Sequence, residues 1–396
     1  MDINDIHLRG MAWDHQRCWG PLDASVEPYR VLHPAVSITW ARRSLYSFGE
    51  GPLDTLLDDC DLVILDHPFV GDIATGGHFH DLQQLLPAEA LAVLAADSLG
   101  QSWRSYQAQG GQWALPIDAA AHVAAYRPDL LARCGLTVPA TFEEVLALAE
   151  ALRPDRLHIG VPGIPTDLMC LFITMAASLG HDVGNMGQRF VVPAVGEDVV
   201  ERLRRLIALA HPASRDWNPI RCYDRMAGTD EVAYVPYAFG YVNYADPAAE
   251  RVIRFADAPA LVSDRPARTT LGGAGIAVST RSKNPEAAAL YALHLCRPEH
   301  QATAYVRAGG QPASRSAWLD RDANARTSDF FADTLRTLEN AYLRPTVPGF
   351  VAVFHEAGLS LARCLDRDLS AKVFVAELND RYARLLDQHG EIAAAM

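Results

Sequence analysis

Short apolar runs alternate with amphipathic stretches along the first third of the chain. Residues 6–13 form the first predicted strand, followed by a loop rich in ring side chains, Trp13, His15 and Trp19. Gly20-Pro21 opens a helix with Pro21 suited to N1, and Pro28 inside it should kink or shorten it. Residues 36–41 alternate well enough for a second strand, and residues 53–57 give a short helix. The compact run Asp61-Leu62-Val63-Ile64-Leu65 has the continuous apolar character of a buried parallel strand. Strand, helix, strand, helix, strand is the pattern of an α/β lobe with a parallel sheet. The loops beyond the third strand, Asp66-His67-Pro68-Phe69 and Gly76-Gly77-His78-Phe79, sit where open α/β sheets bind ligands. Residues 82–86 and 87–97 are helical in pattern.

The middle of the chain reads as a short strand at 113–117, a polar carboxylate at Asp118, and a second apolar strand at 119–126. Helical turns at 128–134 are stopped by Gly135. A capping box then starts a helix, with Thr141 as N-cap and Glu144 reaching back from N3. Further on, residues 157–161 and 231–235 read as strands, and 167–179 and 199–210 as amphipathic helices. Pro236 to Tyr241 reads as an aromatic loop. Residues 271–278 form another strand; Asn284 and Pro285 supply N-cap and N1 of a helix reaching about Cys296. A second helix begins near Pro298-Glu299, and the chain beyond Ala313 is helical.

With 396 residues, two lobes are the default. The net charge of -13, from 48 acidic and 35 basic residues, argues against nucleic acid or an anionic membrane as partner. Seven cysteines spread singly, with no C-x-x-C pair, favour free buried thiols over disulfides or zinc. No apolar run of ~18 residues suggests a membrane span. Asp2, Asp5, His7, Arg9 and Asp14 interrupt any apolar leader, which predicts either a leader removed from this chain or a cytoplasmic protein.

Four stretches together resemble the bacterial extracellular solute-binding protein family 1, the maltose-binding-protein relatives. They are the 112–144 segment just described and Gly272-Gly273-x-Gly275-Ile276-Ala277-Val278-Ser279 followed by Lys283-Asn284-Pro285-Glu286-Ala287-Ala288. The others are Gly309-Gly310-x-Pro312-Ala313-x-Arg315 and Arg344-Pro345-x-x-Pro348-Gly349. The resemblance spans nearly the whole chain. It implies a two-lobe α/β periplasmic-binding-protein-like fold of type II, with three hinge crossings near 116–120, 268–273 and 311–315. The implied lobes are 1–117 plus 272–313, and 118–271 plus 314–396. It also implies a non-catalytic substrate-binding component of an ABC transporter, with a permease partner, a periplasmic location and a monomeric state. The implied ligand is a sugar or sugar derivative held in the interlobe cleft by hinge closure.

Sugars need flat rings against their C–H faces and polar groups aimed at their hydroxyls. The positions that match the family's cleft loops are Trp13, Asp14, His15, His67 and Phe69 from the first lobe and Asp118 at the first crossing. Tyr237, Phe239 and Tyr241 come from the second lobe, and Gly273 would let backbone approach closely. Each has a plainer alternative. Trp13 or Phe69 could cap a core, and Asp118 could be a structural hinge carboxylate hydrogen-bonded to backbone. His15 and His67 suit hydrogen bonding better than metal. His78-x-His80-Asp81 is a weak metal pattern without further ligands. Arg42-Arg43 reads as a solvated strand end, or as a selector of an anionic ligand. There is no G-x-x-x-x-G-K-[ST], H-E-x-x-H or G-x-S-x-G motif, and Gly272-Gly273-Ala274-Gly275 precedes a strand rather than a helix. Asp14 and Asp118 are the one carboxylate pair a glycosidase could use. The alternatives to transport are a cytoplasmic binding or sensor protein of the same fold and, last, an enzyme. No cofactor is expected.

Overall fold

The computed structural model describes residues 6–45, 60–184, 187–263 and 265–395. The helix expected at 53–57 lies outside the described residues. The chain divides into two compact units, one of Met1–Ala120, Gly272–Arg326 and Thr346–Pro348, the other of Ala121–Leu271, Thr327–Pro345 and Gly349–Met396. The expected changes lie at 117/118, 271/272 and 313/314. Residues 314–326 group with the first unit rather than the second.

In the first unit, strand β1 (Ile6–Trp13) leads through helix α1 (Gln16–Leu32) into β2 (Val36–Arg43), which pairs parallel to β1. Strand β3 (Leu62–Leu65) is parallel to β1 on its other side. Helix α1 starts at Gln16, ahead of the expected Gly20-Pro21, and continues through both Pro21 and Pro28. Its buried stripe Cys18, Leu22, Ser25 and Tyr29 runs at three- and four-residue spacing and holds the helix to the sheet despite the prolines.

Strand β4 (Leu115–Tyr126) is one continuous strand rather than two. Asp118 does not interrupt it, because its carboxylate is met by a buried arginine. The chain then forms α2 (Phe142–Leu152), with the expected Thr141–Glu144 capping box, β5 (His158–Ile159) and α3 (Pro165–Ser178). Strand β6 (Val232–Phe239) runs on through four residues expected in a loop. Its pairing with β4 shifts register between Val123 and Ala125, opposite Pro236, which lacks an N–H to give the ladder. Short strand β7 (Arg254–Ala256) pairs with β4, and β8 (Leu271–Val278) lies antiparallel to β3. Helix α4 (Pro285–Cys296) follows, with Asn284 at the N-cap position but no side-chain cap bond.

The first unit's strand order is therefore β2-β1-β3-β8-β4, and its core joins Leu8, Leu62, Ile64, Ile117, Ile276 and Tyr291. The second unit orders β4-β6-β5, with β7 beside β4. There α3 is buried along nearly its whole length and packs against α5 (Phe350–Leu365), where Gly358 leaves room for the Pro165 carbonyl. Helix α6 (Ala371–Ala395) closes the chain. Among the described residues no helix is long and apolar enough to cross a membrane.

Candidate functional site

Parallel strands β1 and β3 end at Trp13 and Leu65, so the loops carrying Asp14–Arg17 and Asp66–Phe69 emerge at one edge of the first unit's sheet. Such an edge is the usual ligand-binding side of an open α/β sheet. Asp118 on β4 and Gly273 on β8 come to this group: a Cβ on Gly273 would sit 2.3 Å from the Asp118 carbonyl oxygen, at a φ of 116°. Only glycine permits that approach and that backbone angle together.

The centre of the cluster is an ion pair absent from the expected site. Arg17 is 4% exposed and Asp118 2% exposed. The guanidinium donates from Nε to Asp118 Oδ2 at 2.8 Å and from Nη2 to Oδ1 at 2.5 Å, a parallel fork. Burial raises the Asp118 pKa, against the pull of Arg17 and with a smaller push from nearby Asp66. The Trp13 ring, itself buried, lies 5.9 Å from the Arg17 guanidinium carbon. Two buried glutamines brace the same strand: Gln301 Nε2 donates to the Ile117 carbonyl at 2.8 Å and Gln311 Nε2 to that of Ala119 at 2.7 Å. Both Asp118 oxygens are engaged by the Arg17 side chain, whereas the structural role expected for Asp118 was hydrogen bonding to backbone.

Asp14 is exposed, and half-buried His15 is the N-cap of α1. The His15 Nδ1 accepts from the Arg17 backbone N–H at 3.1 Å, which puts the neutral ring's hydrogen on Nε2. Burial first, then the Arg17 charge, lower the His15 pKa to about 4 against the opposing effect of Asp14. His67 is buried, its Nδ1 3.2 Å from Asp66 Oδ1, and Phe69 is buried with it. The two arginines also separate: Arg42 pairs with Asp23 and lies over the Trp19 ring at 4.2 Å, whereas buried Arg43 donates from Nη2 to the Ile64 carbonyl at 2.6 Å. Burial lowers the Arg43 pKa to about 10.

The second unit's candidates divide. Tyr237 is fully buried in β6 and its hydroxyl donates to the Pro259 carbonyl at 2.9 Å, so it is a core residue rather than part of an aromatic loop. Burial pushes its hydroxyl pKa well up. Phe239 is half-buried at the end of β6, where its carbonyl accepts from the Tyr223 hydroxyl at 3.0 Å. Tyr241 is buried with its ring 6.3 Å from that of Tyr223. The structure thus brings together Trp13, His15, Asp118 and Gly273 in one unit, and Phe239 and Tyr241 around Tyr223 in the other.

Elsewhere, Asp81 accepts from the backbone N–H groups of Gln83 and Gln112, a turn-forming role. Among the described residues no three His, Cys, Asp or Glu side chains gather as a metal site. All seven cysteines are free thiols, and only Cys134 is not buried.

Sequence reasoning missed Arg17, which lies 101 residues from its partner. The available signal was a charged residue on the buried side of α1, one helical turn before buried Pro21 and adjoining Cys18.

The fold and this edge define a two-unit α/β binding protein. The site offers ring faces, backbone and hydrogen-bonding groups, and its buried charges are already mutually neutralised. Over residues 52–302, more than half of its length, the chain matches the family described as "Bacterial extracellular solute-binding protein", and it belongs to that family. Its class is that of non-catalytic solute-binding proteins.

A "Probable ABC transporter-binding protein" of Deinococcus radiodurans is 26% identical over 338 residues, covering 78% of this chain and 74% of the relative. Maltose-bound T. maritima MalE3 superposes with a TM-score of 0.83 at 18% identity, covering 96% of this chain and 100% of that one. A solute-binding protein of Agrobacterium radiobacter K84 in complex with ribitol gives 0.80 at 19% identity, covering 97% and 100%. One from Thermotoga lettingae TMO bound with α-D-tagatose gives 0.82 at 16%, covering 96% and 100%. At these identities the solved structures establish the shared fold.

Proposed function

We propose that this chain is the solute-capturing component of an ABC transporter and takes a small, uncharged, polyhydroxylated ligand, a sugar or sugar derivative. The observation that carries the reading is the family match over residues 52–302. Two features of the site support the ligand class. Arg17 and Asp118 are engaged with each other, so neither charge calls for an ionic ligand. Exposed Asp14 offers an acceptor to a ligand hydroxyl. The relatives named with maltose, ribitol and tagatose point the same way.

In this reading Asp14, His15 and the Gly273 backbone meet the ligand from one unit and Phe239 from the other. Trp13, His67, Phe69, Asp118 and Tyr241 support those contacts from behind. The protein works outside the cytoplasmic membrane as a monomer, closes on its ligand and presents it to a permease. Ligand contacts from both units favour the closed state over the open one.

The test is a thermal-shift titration of the purified protein with maltose, ribitol and D-tagatose beside citrate and benzoate, followed by solution scattering. Stabilisation by a polyol should grow with concentration as mass action requires, reaching ~2.7 kcal/mol at a hundredfold excess over Kd. The radius of gyration should fall at saturation. Stabilisation by the anions alone would sink the uncharged-ligand assignment, and a shift with an unchanged scattering profile would remove closure.

A further inference from the structure

The second unit contains a buried histidine with one nitrogen facing no hydrogen-bonding group among the described residues. His122 lies on β4, opposite Phe239 in the ladder, and is fully buried. Its Nδ1 is 2.9 Å from Thr174 Oγ1 on α3, while its Nε2 meets no hydrogen-bonding group among the described residues.

The hydrogen positions follow from counting. The Thr270 hydroxyl donates its single hydrogen to the Cys170 carbonyl at 2.8 Å. Toward Thr174, 3.0 Å away, Thr270 Oγ1 can therefore only accept, so the Thr174 hydrogen is spent there. Thr174 Oγ1 also accepts from the Thr270 backbone N–H at 3.0 Å. Toward His122 it can then only accept, which places the imidazole hydrogen on Nδ1 and leaves Nε2 as a bare acceptor. Both threonines are themselves fully buried, so the relay has no solvent to borrow hydrogens from. Burial first, then the nearby Arg344 charge, hold the ring neutral, with a pKa lowered to about 3.

A buried acceptor without a donor costs free energy and calls for a partner, such as a bound water or a ligand. The ring packed against His122 is that of half-buried Phe239, centroid to centroid 4.4 Å and edge-on at 67°. The Phe239 backbone is fixed by the Tyr223 hydroxyl on its carbonyl, and the Gly240 N–H donates to the Ala121 carbonyl at 3.2 Å.

We infer that His122 Nε2 is a concealed acceptor for a ligand hydroxyl, reached when the Phe239 ring turns aside, with Thr174 and Thr270 as positioning residues that fix the accepting tautomer. The inference rests on the proposed function and adds to it a specific hydrogen bond in the second unit. It also implies selection: a ligand carrying a hydroxyl donor at this point is favoured over its deoxy analogue, because only the former satisfies the buried nitrogen.

The experiment is nitrogen-15 NMR of the histidine-labelled full chain, alone and with maltose, ribitol and D-tagatose, combined with calorimetric Kd values for the wild type, His122→Phe and Thr174→Val. The free protein should show the Nδ1–H tautomer with an unbonded Nε2. A bound polyol should move the Nε2 resonance, and His122→Phe should weaken its binding about tenfold. Thr174→Val frees the tautomer and should weaken binding while keeping the imidazole, so the inference does not depend on the bulkier variant folding. Binding with an unmoved Nε2 resonance and unchanged Kd values would overturn the inference and leave the proposed function standing. An Nε2 already hydrogen-bonded in the free protein, as to a buried water, and unchanged by ligand would overturn it as well. Binding by none of the three polyols would count against both.

Discussion

Breaking the Arg17–Asp118 fork from one side should cost far more than removing it whole. Both side chains are almost fully excluded from water and joined by contacts of 2.8 and 2.5 Å. At an effective dielectric near 20, unit charges ~4 Å apart attract by ~4 kcal/mol, which is comparable with the cost of taking both out of water. The pair as a whole is therefore close to neutral for stability, in keeping with burial outweighing Arg17 in the raised pKa of Asp118. Asp118→Leu leaves a buried guanidinium with no counter-charge, and Arg17→Met leaves a buried carboxylate. Each should destabilise the first unit by ~3–5 kcal/mol, whereas the double variant Arg17→Met/Asp118→Leu should lie within ~1–2 kcal/mol of the wild type. With a urea slope of ~1–3 kcal/mol per molar, the single variants should unfold at least ~1 M earlier. The assay is urea denaturation at pH 7 followed by tryptophan fluorescence, with the four proteins forming a double-mutant cycle. Single variants losing less than ~1 kcal/mol, or a double variant losing the sum of the two, would refute the reasoning.

Three further outcomes follow from individual positions. Tyr237→Ala should cost ~3–5 kcal/mol of stability in thermal denaturation, as for other large buried rings, while Tyr237→Phe should cost ~1 kcal/mol by leaving the Pro259 carbonyl unmet; equal losses for the two would contradict the buried placement. Gly273→Ala should destabilise by more than ~2 kcal/mol, since its Cβ meets the Asp118 carbonyl at 2.3 Å in a left-handed backbone, and an unchanged Tm would show that β8 and β4 do not approach so closely. The third concerns acid. The folded-state pKa of His122 is depressed to about 3, so between the ordinary histidine value and pH 3 the unfolded chain binds the extra proton. Stability should thus be full above ~pH 6.5 and fall as pH drops toward 3, by up to ~1.4 kcal/mol per unit from this residue. His122→Phe should flatten that slope in denaturation measured at stepped pH; an identical slope would mean that His122 is protonated in the folded protein.

Much of the architecture was legible from local pattern. The continuous apolar run 62–65, the Thr141–Glu144 capping box and the Asn284-Pro285 helix start each depend on neighbours within a few residues, and each element forms where expected. The order of motifs around residues 112–144, 272–288 and 309–315 was enough to name the family. The misread elements share a different cause. Helix α1 survives two prolines because its buried stripe is held by the sheet. Strand β4 runs through Asp118 because a distant arginine neutralises it, and β6 runs past Pro236 because the register shift opposite absorbs the missing donor.

The candidate site divides along the same line. The sequence by itself determined that an α/β protein of this family places polar and ring residues at the ends of β1, β3 and β6, because strand ends and turn residues are written locally. Which of those side chains face inward was decided only in three dimensions. Trp13, His67 and Tyr237 turn into the protein, Asp118 is claimed by Arg17, and His122 is given its tautomer by two threonines on other elements. Burial and hydrogen-bond partnership depend on residues as far off as Arg17 is from Asp118, 101 positions along the chain. Periodicity reports a residue's own element and not the one that packs against it, so these assignments had to wait for the tertiary structure.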